Sequence, residues 1–135
     1  MSNTSRIGAI SMSKFTTRCL EKGWTPSIPV GNYNRYDCIL DRGNGLERIQ
    51  VKTGKLICGS IVVKVSTSIY SWKGLPGVRR GYKNDVDYFG VFCSSTDRCY
   101  LIPIDDAPKN ELSLRVDKPK NRQVMRIRWA KDYEI

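Results

Sequence analysis

The spacing of apolar and polar positions changes several times along the chain. Ile7, Ile10, Phe15 and Cys19 recur near helical spacing, with Lys14, Arg18 and Lys22 between them, and predict a helix from residue 7 to about 22. Thr4 and Ser5 are candidate N-caps, and Gly23 is a natural stop. Trp24 to Val30, broken by Pro26 and Pro29, reads as a short edge strand or an extended link. Tyr36 to Leu40 is apolar enough for a strand. "DRGNG" then supplies turn residues, and Leu46 to Thr53 resumes the strand pattern. Ile61 to Val65 is a β-branched run and predicts a third strand. "SWKGLPGVRRGYKND" reads as an exposed loop rich in glycine and basic residues. Tyr88 to Cys93 and Cys99 to Pro103 form a second hairpin around "SSTD". Residues 105 to 122 are polar and show no usable period, while Val124 to Trp129 alternates and fits a last strand or a short helix. The whole, residues 1–135, predicts a single domain with an α/β or α+β core: a mixed sheet of about four to five strands flanked by helices.

Composition narrows the picture. No apolar run approaches the ~20 residues that span a bilayer. "MSNTSRIGAISMSK" has no apolar secretion core, so a cytoplasmic protein is expected, with no membrane partner. The formal net charge is +10, from 23 basic and 13 acidic residues. A polyanion is the natural partner of such a surface, nucleic acid first, although a merely basic exterior has the same composition. The five cysteines are widely spaced, with no CxxC pair, and there is no histidine. That excludes the usual zinc sites, a histidine general base and a Ser-His-Asp arrangement. Most of the cysteines are expected to be small core residues.

The chemistry concentrates in "RYDCILDRGNGLERIQVKTGK", Arg35 to Lys55. Strand side chains alternate faces, so Gln50 and Lys52 share one face while Ile49, Val51 and Thr53 share the other, suited to burial against a helix. With the right register, Asp37 on the preceding arm joins Gln50 and Lys52. A carboxylate, an amide and an ammonium then surround one small volume. A hard divalent cation with oxygen ligands can bridge a carboxylate and a phosphodiester, and a lysine beside it can orient or deprotonate water. Asp37, the Gln50 side-chain oxygen and the Val51 carbonyl are the candidate metal ligands; Asp37, Gln50 and Lys52 are the candidate catalytic residues. A hairpin with one solvated polar face places the same residue types there by chance.

"RYDCILD" followed by "ERIQVKTGK" resembles the PD-(D/E)xK nuclease superfamily, and more closely its branch with group I intron-encoded homing endonucleases of cyanobacteria, in which glutamine fills the acidic slot before xK. "CLEKGW", "IPVGNYNRYD" and "DVDYFGVFCSSTDRCYLIPID" extend the similarity over most of the chain. The resemblance implies a restriction-endonuclease-like core and a Mg²⁺-dependent endonuclease acting on double-stranded DNA, with Mn²⁺ as a substitute. Asp37 matches the metal-binding aspartate, Gln50 the usual acidic position and Lys52 the catalytic lysine. Family members often carry a further glutamate in the first helix. Its position falls on Met12, which leaves Asp37 as the only anionic side chain of the site: either the chain is an impaired or degenerate member, or Met12 is an ordinary helix core residue.

Lys73, Arg79, Arg80 and Lys83, in the glycine-rich loop, are candidate phosphate contacts, as are Arg35 and Tyr36 beside Asp37. Lys118, Lys120, Arg122, Arg126 and Arg128 form a second basic region. One chain covers a small footprint, so a long target implies an oligomer, and the resemblance implies a homo-oligomer, dimer or tetramer. A repair or Holliday-junction-resolving nuclease, a DNA-binding module that lost its acids, and a structural protein are the rival readings.

Overall fold

The structure, a computed structural model, describes residues 3–70, 78–117 and 127–135. Helix α1 runs over Asn3–Glu21, so it begins before residue 7 and includes Thr4 and Ser5 within it. Its inward stripe is Ser11, Phe15 and Cys19, spaced by four. Ile7 and Ile10, expected inside, are 42% and 46% exposed. The difference is chemical. Ser11 is tolerated in the interior because its hydroxyl shares a hydrogen bond with Thr53 Oγ1, 2.5 Å apart. The expected stop is found: Gly23 adopts φ +81°. Its N–H donates to the Leu20 carbonyl and the Trp24 N–H to the Cys19 carbonyl, both at 2.9 Å, as in a Schellman motif.

The strands are β1 (Thr25–Ser27), β2 (Cys38–Asp41), β3 (Leu46–Ile57), β4 (Ser60–Lys64), β5 (Thr67–Tyr70), β6 (Val78–Arg80), β7 (Tyr88–Cys93), β8 (Arg98–Pro103) and β9 (Glu111–Arg115). Seven of them form one sheet, more than the four to five expected. β1-β2-β3-β4-β9 follow in order, while β7 joins β3 and carries β8. The β3–β7 pair is parallel and the other pairs are antiparallel, so the sheet is mixed. β9 lies in the stretch without usable period. Only Leu112 and Leu114 of it are buried, too short an alternation to stand out among polar neighbours. β5 and β6 make a separate ribbon, β6 inside the stretch that reads as a loop and β5 just before it. One α-helix flanks the sheet among the described residues.

Two apolar clusters lie on the two faces. Phe15 and Cys19 of α1 pack with Cys38, Leu40, Ile49, Phe92, Cys99 and Leu101. The other face buries Ile61, Val63, Phe89, Val91, Cys93, Tyr100, Ile102, Leu112 and Leu114 under Tyr82, Val86 and Ala130. Alternation along β7 and β8 sends neighbouring residues to opposite clusters, as the pleat requires. Four of the five cysteines are buried and all are free thiols. Burial pushes the Cys19 and Cys38 thiols up to about 12 and Cys99 up to about 11, which keeps them unreactive packing residues. Among the described residues no helix is long and apolar enough to cross a membrane.

Candidate active site

The long strand β3 changes partners along its length. β2 pairs with it from Leu46 to Ile49, and β4 pairs with it from Lys55 to Ile57. Between them it pairs with β7 alone among the described strands. The other edge of β3 therefore has no partner strand over this stretch among the described residues, and Asp37 sits at it. The Asp37 N–H donates to the Ile49 carbonyl at 2.7 Å. Its Oδ2 accepts the Val51 N–H at 2.8 Å, replacing the strand partner that Val51 lacks. The N–H and C=O of one strand residue point to the same edge. The Arg48 carbonyl, by contrast, accepts the Asp87 N–H on the β7 side. The Val51 carbonyl is thus directed to the edge that holds the Asp37 carboxylate.

The ladder of β2 on β3 ends at the Cys38–Ile49 pair, and Asp37, just before it, bonds Ile49 with its backbone and Val51 with its side chain, on either side of Gln50 in β3. Val51 packs against the helix-side cluster, and Lys52 reaches Tyr82 of the opposite cluster. Gln50 and Lys52 therefore share the face away from α1, as the alternation predicts. Burial holds the Asp37 carboxyl above its usual range, against the opposing pull of the Val51 N–H and the positive charge of Lys52. The ε-ammonium of Lys52 donates to Tyr82 Oη at 3.2 Å and lies 4.7 Å from the ring centroid.

The predicted DNA contacts fall into distinct places. Arg35 is engaged within the chain: its guanidinium donates to the Gly81 carbonyl and Asp85 Oδ2, both at 2.6 Å, and to Thr67 Oγ1 at 2.8 Å. It also stacks 4.0 Å from the centroid of Tyr82. Tyr36 is half-buried against the cluster away from the helix. Arg80 is exposed and pairs with Asp85 at 3.3 Å, and Lys83 is exposed. Lys73 lies outside the described residues, and so does the side chain of Arg79, whose backbone is in β6 opposite Ser68. Lys118, Lys120, Arg122 and Arg126 lie outside them too. Arg128 donates to the Asp106 carbonyl at 2.7 Å. Asp87 does not join the site: it accepts the Arg48 N–H at 2.8 Å and the Arg48 guanidinium, which holds its carboxyl below the usual range.

The donors at the open edge are hard oxygens, a carboxylate and a backbone carbonyl, with the Gln50 amide on the neighbouring residue of β3. This set suits Mg²⁺ or Mn²⁺ in type and is poor in charge. Among the described residues no three acidic, cysteine or histidine side chains converge. Met12 is half-buried and packs with the helix-side cluster that includes Val51. Sequence reasoning missed Tyr82. It lies in an irregular, basic stretch where no period marks an inward side chain; an aromatic among glycines and cations was the only signal.

A parallel strand paired with the long hairpin strand β3, with Asp37 bonded to Val51 between Gln50 and Lys52, is the arrangement expected of a restriction-like nuclease core. A family model described as PD-(D/E)XK endonuclease matches residues 2–135, and the chain belongs to that family. A solved structure described as that of a bacterial homing endonuclease, I-Ssp6803I, superposes with a TM-score of 0.78 at 25% identity, covering 98% of this chain and 89% of that one. No curated protein matches.

Proposed function

We propose that this PD-(D/E)XK endonuclease hydrolyses phosphodiester bonds in double-stranded DNA with the help of a divalent cation, in the manner of a homing endonuclease. The observation that carries the reading is the Asp37 carboxylate held by the Val51 N–H at the edge of β3, within reach of the Lys52 charge. Asp37, the Val51 carbonyl and the Gln50 side-chain oxygen would hold Mg²⁺, or Mn²⁺ in its place. Such a cation neutralises charge on the scissile phosphate and makes bound water easier to deprotonate.

The chain's own groups do the rest. The Val51 N–H occupies one lone pair of Asp37 Oδ2 and orients the carboxylate outward from the strand edge. Lys52 presents Nζ on the same side, where it orients the attacking water or takes its proton. The face away from α1 leads onto the β5–β6 ribbon. Arg80 and Lys83 at its end supply exposed positive charge for the backbone of a duplex. The +10 net charge adds a long-range attraction. The active form is taken to be a homo-oligomer, dimer or tetramer. Exposed Ile28, Val30 and Tyr33, at 62%, 98% and 90%, provide apolar surface for contacts between copies.

That no second acid joins Asp37 among the described residues favours one alternative: a module of the same fold that binds duplex DNA and cuts weakly or not at all. Incubation of linear and branched DNA with Mg²⁺, Mn²⁺ or EDTA separates the readings. Cutting of linear duplex with either metal and none with EDTA is expected. Salt-dependent duplex binding without cutting would favour the module, and preference for branched DNA would favour a junction-resolving nuclease.

A further inference from the structure

We infer that Tyr82 is a positioning residue for Lys52, its hydroxyl accepting a hydrogen bond from Lys52 Nζ and fixing where that amine stands beside Asp37. The inference rests on the nuclease reading of Lys52. A lysine stem has many rotamers, and an amine that must meet a water at one place needs a fixed partner. Asp37 lies at the strand edge, its Oδ2 turned to the Val51 N–H. Tyr82 is held from every side. It is 4% exposed, and its ring meets Phe89 edge-to-face, with centroids 5.5 Å apart at 85°. Its carbonyl accepts the N–H groups of Asp85 and Val86 at 2.9 and 3.1 Å. Arg35 lies 4.0 Å from the ring centroid and is itself anchored to the Gly81 carbonyl, Asp85 and Thr67. A rigid phenol thus presents its oxygen to a flexible amine at 3.2 Å. A phenol oxygen can accept an N–H from the amine in either protonation state, so the contact persists while Lys52 handles a proton.

Tyr82→Phe removes this oxygen and keeps the ring that Phe89 and Arg35 pack against. Two readouts test the inference. The first is metal-free: the rate at which an amine-acylating reagent labels Lys52, followed by mass spectrometry. Tyr82→Phe is expected to raise that rate severalfold while the other lysines label as before. The second is cutting of duplex DNA with Mg²⁺. kcat is expected to fall about tenfold, with DNA affinity and the unfolding midpoint kept at the parent's values. Equal labelling of Lys52 in the two proteins would overturn the inference, and so would parental kcat in an enzyme that Lys52→Ala inactivates. Cutting by Lys52→Ala at the parental rate would instead overturn the nuclease reading itself. If none of the proteins cuts, the labelling decides alone.

Discussion

The Val51 N–H donates to Oδ2 of Asp37 at 2.8 Å, at the point where β2 no longer accompanies β3. This one bond ties the candidate metal carboxylate to the strand that carries Gln50 and Lys52. Burial nevertheless disfavours the charged carboxyl more than this bond and the Lys52 charge favour it.

Asp37→Asn therefore removes charge from a place that resists it. The folded-state pKa of Asp37 is raised above its ordinary 3.8, so the folded chain binds more protons than the unfolded one between the two values. Its contribution to stability falls as pH rises from 3.8 through the raised value and stays low above it. At neutral pH, Asp37→Asn is expected to be as stable as the parent or more so, by up to ~1 kcal/mol. Urea unfolding of both proteins from acid to neutral pH checks the sign. A neutral-pH loss would show that the carboxylate is a structural asset.

Asp87 runs the other way. Its hydrogen bonds with Arg48 hold its pKa down, so the pair stabilises above the ordinary value and the benefit fades as pH falls through the lowered one. The carboxylate is partly solvated, so Asp87→Asn is expected to cost only ~0.5–1 kcal/mol at pH 7. The difference from the parent should shrink in acid, as denaturant midpoints at the two pH values would show.

The helix rests on β7 through a glycine. A Cβ at Gly90 would lie 2.5 Å from Cε2 and Cζ of Phe15. Gly90→Ala must push this fully buried ring out of its seat and is expected to cost ~1–3 kcal/mol in urea unfolding.

Met12 occupies the helix next to Ser11, whose hydroxyl bonds Thr53 two residues beyond Val51. A carboxylate at that level adds negative charge near the unpaired edge. Met12→Glu is expected to tighten Mn²⁺ binding on the order of tenfold, read by calorimetry without DNA. Unchanged affinity would show that residue 12 does not reach the site.

Much of this was legible in the chain. The alternation in "ERIQVKT" assigned faces to Ile49, Gln50, Val51 and Lys52 because a strand has a strict period of two. Gly23 marked the end of α1 because a left-handed cap favours glycine. Other features were hidden because long-range contacts decide them. Ser11 is inside only because Thr53 meets it, and Ile7 and Ile10 stay outside because the row Ser11, Phe15 and Cys19, spaced by four, takes the inner face. Arg35 reads as a phosphate contact when alone in the sequence. Its partners Thr67, Gly81 and Asp85 are distant along the chain, and they make it a clamp. Tyr82 shows its relation to Lys52 only after folding brings these two residues, 30 apart in the chain, together.

The most direct test of the central claim is a time course of long duplex DNA with Mg²⁺, comparing the parent with Asp37→Asn and Lys52→Ala at equal DNA occupancy. The parent is expected to cut and each variant to lose at least ~10²-fold in rate. Genuine cutting by both variants at the parental rate would contradict the account.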